Sequence, residues 1–291
     1  MRINKCLSEL GLCSRREADR WIAEGRVRLN GETAEMGQQV EEKDCLELDG
    51  KLVKKAGRAV RAQAPRRVLL ACYKPRGIVC SCSDKDRAKN IVELVNYPER
   101  VYPIGRLDKD SEGLILLTNQ GELVNRINRG GRNEKEYVVT VDKPLTRETL
   151  DRLADGVELS ELNQKTRPCE VWQDLRLPPG RRQRQFHIVL SQGLNRQIRR
   201  MCEALGYEVK RLKRVRILSL RLVGLRPGEF REIGLSELGL SEELWPERCR
   251  GKGCGSFDAD RTNEGTNRDF EPGVKGLLSG RRRDHVESRV R

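Results

Sequence analysis

Apolar positions set a helical period from the first residues. Ile3, Leu7 and Leu10 fall at i, i+4 and i+7, on one face of a short helix. Ser14 then stands three residues before Glu17, the spacing of a reciprocal helix N-cap. The helix this predicts turns Ala18, Trp21 and Ile22 inward, and Gly25 suits its left-handed C-terminal position. Val27, Arg28 and Leu29 read as a short strand, followed by the tight-hairpin signal Asn30-Gly31. Residues 1–50 are thus expected to form one small unit. From 51 to 67 the period fades into Lys, Arg and Ala with Gly57 and Pro65, the composition of a flexible basic linker.

A second pattern starts at Val68, where residues 68–73 form an apolar strand that ends in the turn Lys74-Pro75-Arg76-Gly77. Residues 105–118 stand at the centre of this pattern. They begin polar and charged, Gly105-Arg106-Leu107-Asp108-Lys109-Asp110-Ser111-Glu112-Gly113, and end in the run Leu114-Ile115-Leu116-Leu117. A short apolar run between glycine and the turn Asn119-Gln120-Gly121 reads as a strand buried on both faces. A charged loop that enters the middle of a sheet suits a reactive site, because the sheet holds it still. Asp108 is the candidate nucleophile or base, with Arg106 beside it. On these residues alone, charges that only solvate a turn are an equal reading.

Beyond that stretch, Leu123 and Ile127 mark a helix, and Glu134-Lys135-Glu136-Tyr137 leads into a β-branched strand at residues 138–141. A helix through Leu150 and Leu153 closes at Gly156, and residues 185–190 form a strand. The next helix opens after Gln192-Gly193. It has Ile198, Met201, Cys202 and Leu205 on one face and Arg196, Arg199 and Arg200 around its first two turns. Residues 210–216 form a basic strand. After Pro246, glycines and mixed charges replace large apolar residues, so residues 246–291 are expected to be a disordered basic tail. The organisation expected is therefore a domain at 1–50, a linker at 51–67, a second domain at 68–245 and the tail. Strands alternate with helices, and there is no glycine-rich phosphate loop. The fold class is α+β: a small domain followed by one with a mixed or antiparallel sheet.

Charge narrows the partner. The 291 residues carry a net +14, with 35% charged and only 4% aromatic residues. An excess of that size favours a polyanion through counterion release. No stretch approaches the ~20 apolar residues of a membrane-spanning helix, and the N-terminus lacks the apolar core of a signal peptide, so a cytoplasmic protein is expected. The ten cysteines are irregularly spaced without a C-x-x-C pair, and the only histidines are His187 and His285. Reduced core cysteines are the better reading than disulfides or a metal site.

The segments Arg2-Ile3-Asn4-Lys5, Ser14-Arg15-Arg16-Glu17-Ala18-Asp19, Gly25-Arg26-Val27 and Leu29-Asn30-Gly31 resemble the S4 RNA-binding domain. The resemblance implies RNA contacts from Arg15, Arg16 and Arg26. Two arginines in the first turn of a helix oppose its macrodipole, and a phosphate placed there would relieve the conflict. Gly105-Arg106-Leu107-Asp108, the run from Ser111 to Thr118 and the Lys-Pro-x-Gly turn resemble the RsuA-like pseudouridine synthases, which isomerise uridine in ribosomal RNA.

That likeness extends over residues 1–240 and implies the site. Asp108 is the catalytic aspartate, Tyr137 lies against the target base, and Arg199 pairs with the aspartate. Arg106 fills the gap left by the displaced nucleotide, and Asn195 and Arg196 join the RNA-binding residues. The reaction breaks N1–C1′ and joins C5 to C1′ without oxidation or hydrolysis, so neither a cofactor nor a metal is expected. The strand and helix motifs around Tyr137 and Arg199 resemble the large-subunit branch called synthase F. This implies a uridine in 23S rRNA, with a tRNA uridine in a similar loop open as a second substrate and a monomeric enzyme. The competing reading is a non-catalytic S4-type ribosome-assembly protein. An S4-bearing methyltransferase or synthetase fits less well, since neither a glycine-rich cofactor loop nor adenylate-binding histidine motifs occur. Removal of residues 247–291 is expected to leave the thermal melting transition unchanged within about a degree or two, because little apolar surface lies there; differential scanning calorimetry checks it.

Overall fold

The computed structural model describes residues 1–55, 58–59, 66–80, 89–129 and 133–241; the expected tail lies outside the described residues. The N-terminal domain opens with α1 (Ile3–Glu9) and α2 (Arg15–Ala23). The N-cap of α2 is reciprocal: the Glu17 amide donates to Ser14 Oγ at 3.0 Å, and the Ser14 amide donates to the Glu17 carboxylate at 3.4 Å. The helices bury Ile3, Cys6, Leu7, Ala18 and Ile22 against Val27 and Leu46. Strands β1 (Val27–Leu29) and β2 (Glu32–Thr33) form the expected hairpin, with Asn30 at φ +54° and Gly31 at φ +89°.

Next come β3 (Leu46–Leu48), β4 (Lys51–Lys55) and β5 (Arg58–Ala59), in a sheet of order β2-β1-β3-β4-β5. The last two strands fall inside the stretch expected to be linker. Lys54 explains why. Its side chain is buried, and its ammonium donates to the carbonyls of Glu41 at 2.6 Å and of Glu42 and Asp44 at 3.2 Å. A lysine that satisfies three chain carbonyls fixes a strand rather than solvating a tether.

The second domain is built on a nine-stranded sheet. Its elements in chain order begin with β6 (Leu69–Lys74), α3 (Ile91–Val95), β7 (Tyr102–Ile104), β8 (Glu112–Thr118), α4 (Gly121–Arg129) and β9 (Lys135–Val141). After these come α5 (Arg147–Asp155), β10 (Glu158–Leu159), β11 (Gln164–Lys165), β12 (Glu170–Trp172), α6 (Pro179–Arg182) and β13 (Gln185–Leu190). The last are α7 (Gln197–Ala204), β14 (Val209–Ile217), β15 (Leu220–Arg221) and β16 (Phe230–Glu232). The sheet runs β12-β13-β9-β14-β8-β6-β16, with β7 paired to β8 and β15 to β14; β10 and β11 pair separately. All pairs are antiparallel except β14 with β8, which makes the sheet mixed.

Strand β8 is buried along its whole length, as its apolar run predicts. Ile115 and Leu117 pack with Ile91 and Val95 of α3, while Leu114 and Leu116 pack with Leu123 and Ile127 of α4. Alternate residues thus meet helices on opposite faces of the sheet. Helices α5 and α7 cover Val139, Val141, Ile188 and Leu212. Two boundaries differ from the sequence pattern. Strand β9 starts at Lys135, and α7 starts at Gln197, with Arg196 before it at φ +51°. The Gln197 side chain accepts the Leu194 amide at 3.1 Å, so a turn occupies the place of the expected first helical turn.

The parallel pair of β8 and β14 has one demanding point. Gly113 has φ +112°, and a Cβ there would lie 2.2 Å from the carbonyl oxygen of Arg214. Gly113→Ala is expected to destabilise the protein by about 2–4 kcal/mol, from backbone strain plus overpacking. Urea denaturation measures it, and Gly180→Ala, where a Cβ meets nothing within 4 Å, is the control.

Candidate active site

The loop between β7 and β8 lies at one side of a cleft of about 570 Å³. Strand β9 contributes Lys135 and Tyr137, β14 contributes Leu212 and Arg214, and the turn before α7 supplies the opposite rim. The loop is held from below by Lys74, whose side chain is fully buried at the end of β6. Its ammonium donates to the carbonyls of Ser111 at 2.6 Å, Pro75 at 2.9 Å and Lys109 at 3.4 Å. The Gly77 amide donates to the Lys109 carbonyl at 2.8 Å, so the Lys-Pro-x-Gly turn clasps the loop twice. Leu107 is buried against α3, and its amide donates to Cys80 Sγ at 3.3 Å. The chain then turns through a Ser111 amide bond to the Asp108 carbonyl at 3.0 Å. Leu107 anchors inward, so Asp108 presents its carboxylate at the cleft, 31% exposed.

Among the described residues Arg196 supplies the nearest cation, with Nη1 3.9 Å from Asp108 Oδ2. Arg199, expected to pair with the carboxylate, makes no ion pair with it among the described residues, although it feels the Asp108 charge. Arg199 lies one helical turn further on and passes under the loop. It donates to the Asp110 carbonyl and Ser111 Oγ, both at 3.4 Å, and to the Val209 carbonyl at 3.2 Å. Its guanidinium holds the backbone that carries Asp108 rather than the carboxylate itself. The left-handed backbone at Arg196 aims that side chain at the loop, a strained conformation of the kind found where geometry matters.

Tyr137 is half-buried in β9, between Ile188 of β13 and Arg214 of β14. Arg106 is exposed on the cleft rim, and Asn195 and Arg196 are exposed on the opposite one. Arg15 and Arg16 are exposed at the first turn of α2. Arg26 is otherwise engaged. It donates twice to the Asp49 carboxylate, at 2.8 and 2.7 Å, and lies 5.0 Å from the Trp21 ring centroid. Within the domain it is thus tied to Asp49, with its side chain 38% exposed.

Two cleft residues, Lys135 and Arg214, are not singled out by the sequence pattern. Lys135 stands two positions before Tyr137, hence on the same face of the strand. Burial and the neighbouring Arg214 guanidinium pull the Lys135 ammonium down to about 8. Its Nζ donates to Asn133 Oδ1 at 2.7 Å and to the Asn133 carbonyl at 3.2 Å. Arg214 is one of several basic residues along β14, which hides it in a charge count, yet it is 2% exposed. Among the described residues no cluster of His, Cys, Asp and Glu could hold a metal ion, and no helix is long and apolar enough to cross a membrane.

Known proteins share this architecture. The S4 domain family matches residues 1–46, and the RNA pseudouridylate synthase family matches residues 68–204. The dual-specificity RNA pseudouridine synthase RluF of Escherichia coli K12 is 48% identical over 239 residues, 82% of this chain and 77% of that protein. This chain belongs to the RsuA-type RNA pseudouridine synthases. A large-subunit synthase B from Bacillus subtilis is 37% identical over 235 residues, covering 80% of this chain and 91% of that one. A solved pseudouridylate synthase, 27% identical, superposes with a TM-score of 0.56 over 82% of this chain and 98% of its own. The protein is thus an RNA pseudouridine synthase with an N-terminal S4 domain and an α+β fold.

The depressed Lys135 pKa has a sign that experiment can read. Between about 8 and its ordinary value of 10.5, the unfolded chain keeps the proton and the folded synthase does not. Folding stability gains from this site as pH rises through that window. Lys135→Met is expected to lose the gain, so the stability difference, wild type minus variant, increases from about pH 7.5 to about pH 10. Urea titrations at the two pH values check it.

Proposed function

We propose that this synthase isomerises a uridine of 23S ribosomal RNA, with Asp108 acting at the target sugar. The observation that carries the reading is the Asp108 carboxylate itself. It sits at the cleft on a loop clasped by Lys74 and Arg199, opposite a rim that bears Arg196. A phosphate-binding surface gains nothing from an acid there; a covalent or proton-transfer step at C1′ or C2′ does. Arg196 orients the carboxylate from the side. The target uridine must leave its stack, at a cost of a few kcal/mol. Arg106 offsets part of that by filling the vacated place, and the Tyr137 ring stacks the flipped uracil for ~1–3 kcal/mol. Arg15 and Arg16 of the S4 domain hold phosphates away from the cleft.

The large-subunit assignment is supported by the Bacillus subtilis relative's name and by the resemblance of the strand and helix motifs. The dual specificity named for the Escherichia coli relative supports a second RNA, for which a tRNA uridine in a similar loop is the choice. A monomer in the cytoplasm is part of the same reading.

Asp108→Asn removes charge and nucleophile with almost no change of shape. It is expected to fold, to bind rRNA fragment as well as or slightly better than wild type, and to form pseudouridine at background level. Single-turnover conversion of bound fragment, with affinity measured separately, is the test. Conversion above a tenth of the wild-type rate would assign the chemistry elsewhere, with Asp110→Asn the next variant.

A further inference from the structure

Arg214 is a buried guanidinium whose donors are only partly used by its neighbours among the described residues. A guanidinium carries five donors, and burial without partners costs free energy for each. Its Nε donates to the Leu114 carbonyl at 2.6 Å and Nη1 to the Arg106 carbonyl at 3.5 Å. Nη2 is buried and, among the described residues, has no hydrogen-bond partner. The side chain is 2% exposed and lines the same cleft as Asp108 and Tyr137. It is the direct cross-strand neighbour of Tyr137. Two more ammonium groups, Lys74 and Lys135, lie close enough to feel its charge. Positive charge is therefore concentrated under the floor of the cleft, and the Asp108 carboxylate lies at the rim bridged by Arg196.

We propose that Arg214 stabilises the uracil anion released when the N1–C1′ bond breaks. When that bond cleaves, its electron pair goes to the base. The negative charge spreads over N1, O2 and O4, and C1′ is taken up either by the Asp108 carboxylate or by loss of the C2′ proton. The base then turns and C5 joins C1′, either displacing the Asp108 carboxylate from C1′ or, on the other route, as Asp108 returns the proton to C2′. The C5 proton is then lost and N1 is protonated, so the ring ends neutral and Asp108 is regenerated. Under either role of Asp108 the free base is an anion. A preorganised donor beside the ring that stacks it is best placed to lower the barrier to its departure. A phosphate is the less suitable occupant, because Arg214 lies in the floor of the cleft while phosphates follow its exposed rims.

The inference rests on the cleft being the uridine site, and the experiment separates the two. Arg214→Lys and Arg214→Gln are compared with wild type and Asp108→Asn on rRNA fragments that carry uridine or 5-fluorouridine at the target. Fluorine withdraws electrons and makes the departing base a weaker base, so cleavage leans less on an external donor. Folding is monitored by melting temperature and near-UV circular dichroism, and affinity separately. The expected result is native-like folding and affinity for Arg214→Lys, with single-turnover loss on uridine of about 10²–10³-fold, the range for removal of one oxyanion donor. On 5-fluorouridine, loss of glycosidic cleavage should be at least ten-fold smaller. Equal losses on both bases, or a loss explained by affinity alone, would overturn the proposal and leave Arg214 a structural tie. If Arg214→Gln unfolds, Arg214→Lys alone decides by the same ratio. Retained conversion by Asp108→Asn would instead show that the cleft is not the site of chemistry, whatever Arg214 does.

Discussion

The parallel contact between β8 and β14 is the constraint on which the candidate active site depends. Among the described residues, every other pair of neighbouring strands in this sheet runs antiparallel. At this one seam Lys213 faces Glu112 and Arg214 faces Gly113, with the two backbones too close for any side chain on the glycine. The approach brings β8 into the sheet beside β14 at its N-terminal end. It therefore fixes where the preceding loop emerges. The loop cannot drift along the sheet without breaking that seam, and Asp108 rides on it.

Electrostatics around the loop are arranged by depth. Lys74 and Arg199 satisfy backbone carbonyls below it, and Arg196 meets the carboxylate from the side. On the opposite face of β9, Glu136 is buried among His187, Arg216 and Arg221, at 2.8, 3.1 and 3.5 Å. Adjacent residues of one strand thus serve different ends. Glu136 draws cations into a structural cluster, and Tyr137 lines the cleft.

Apolar period and turn chemistry made most of this legible in the sequence. The Ser14–Glu17 cap, the Asn30-Gly31 hairpin and the buried run of β8 are local features, decided by residues within a few positions of one another. Asp108 stands out in the sequence because a charged loop there enters a buried strand and its motif resembles that of the RsuA-like synthases. Features that depend on chain partners distant in sequence were not. Lys54 looks like one more linker charge until the carbonyls of residues 41–44 fold over it. Arg214 looks like one more basic residue until β8 packs beside it. Arg196 and Arg199 differ in role because a turn at residues 194–197 replaces the first helical turn, and periodicity alone does not register such a turn.

The extra strands of the N-terminal sheet also shorten the tether between domains. From Ala59, the last residue of β5, to Arg66 there are seven peptide steps, which span at most roughly 25 Å even fully drawn out. Arg100 also donates to the Cys13 carbonyl at 2.6 Å, just ahead of the helix that bears Arg15 and Arg16. A domain on so short a leash acts as a measuring arm. Once it has gripped one stretch of RNA, only nucleotides within a fixed radius can reach the cleft, at an effective concentration far above that of free RNA. Selection among the many uridines of a large RNA then becomes partly a matter of distance, settled before any base is read.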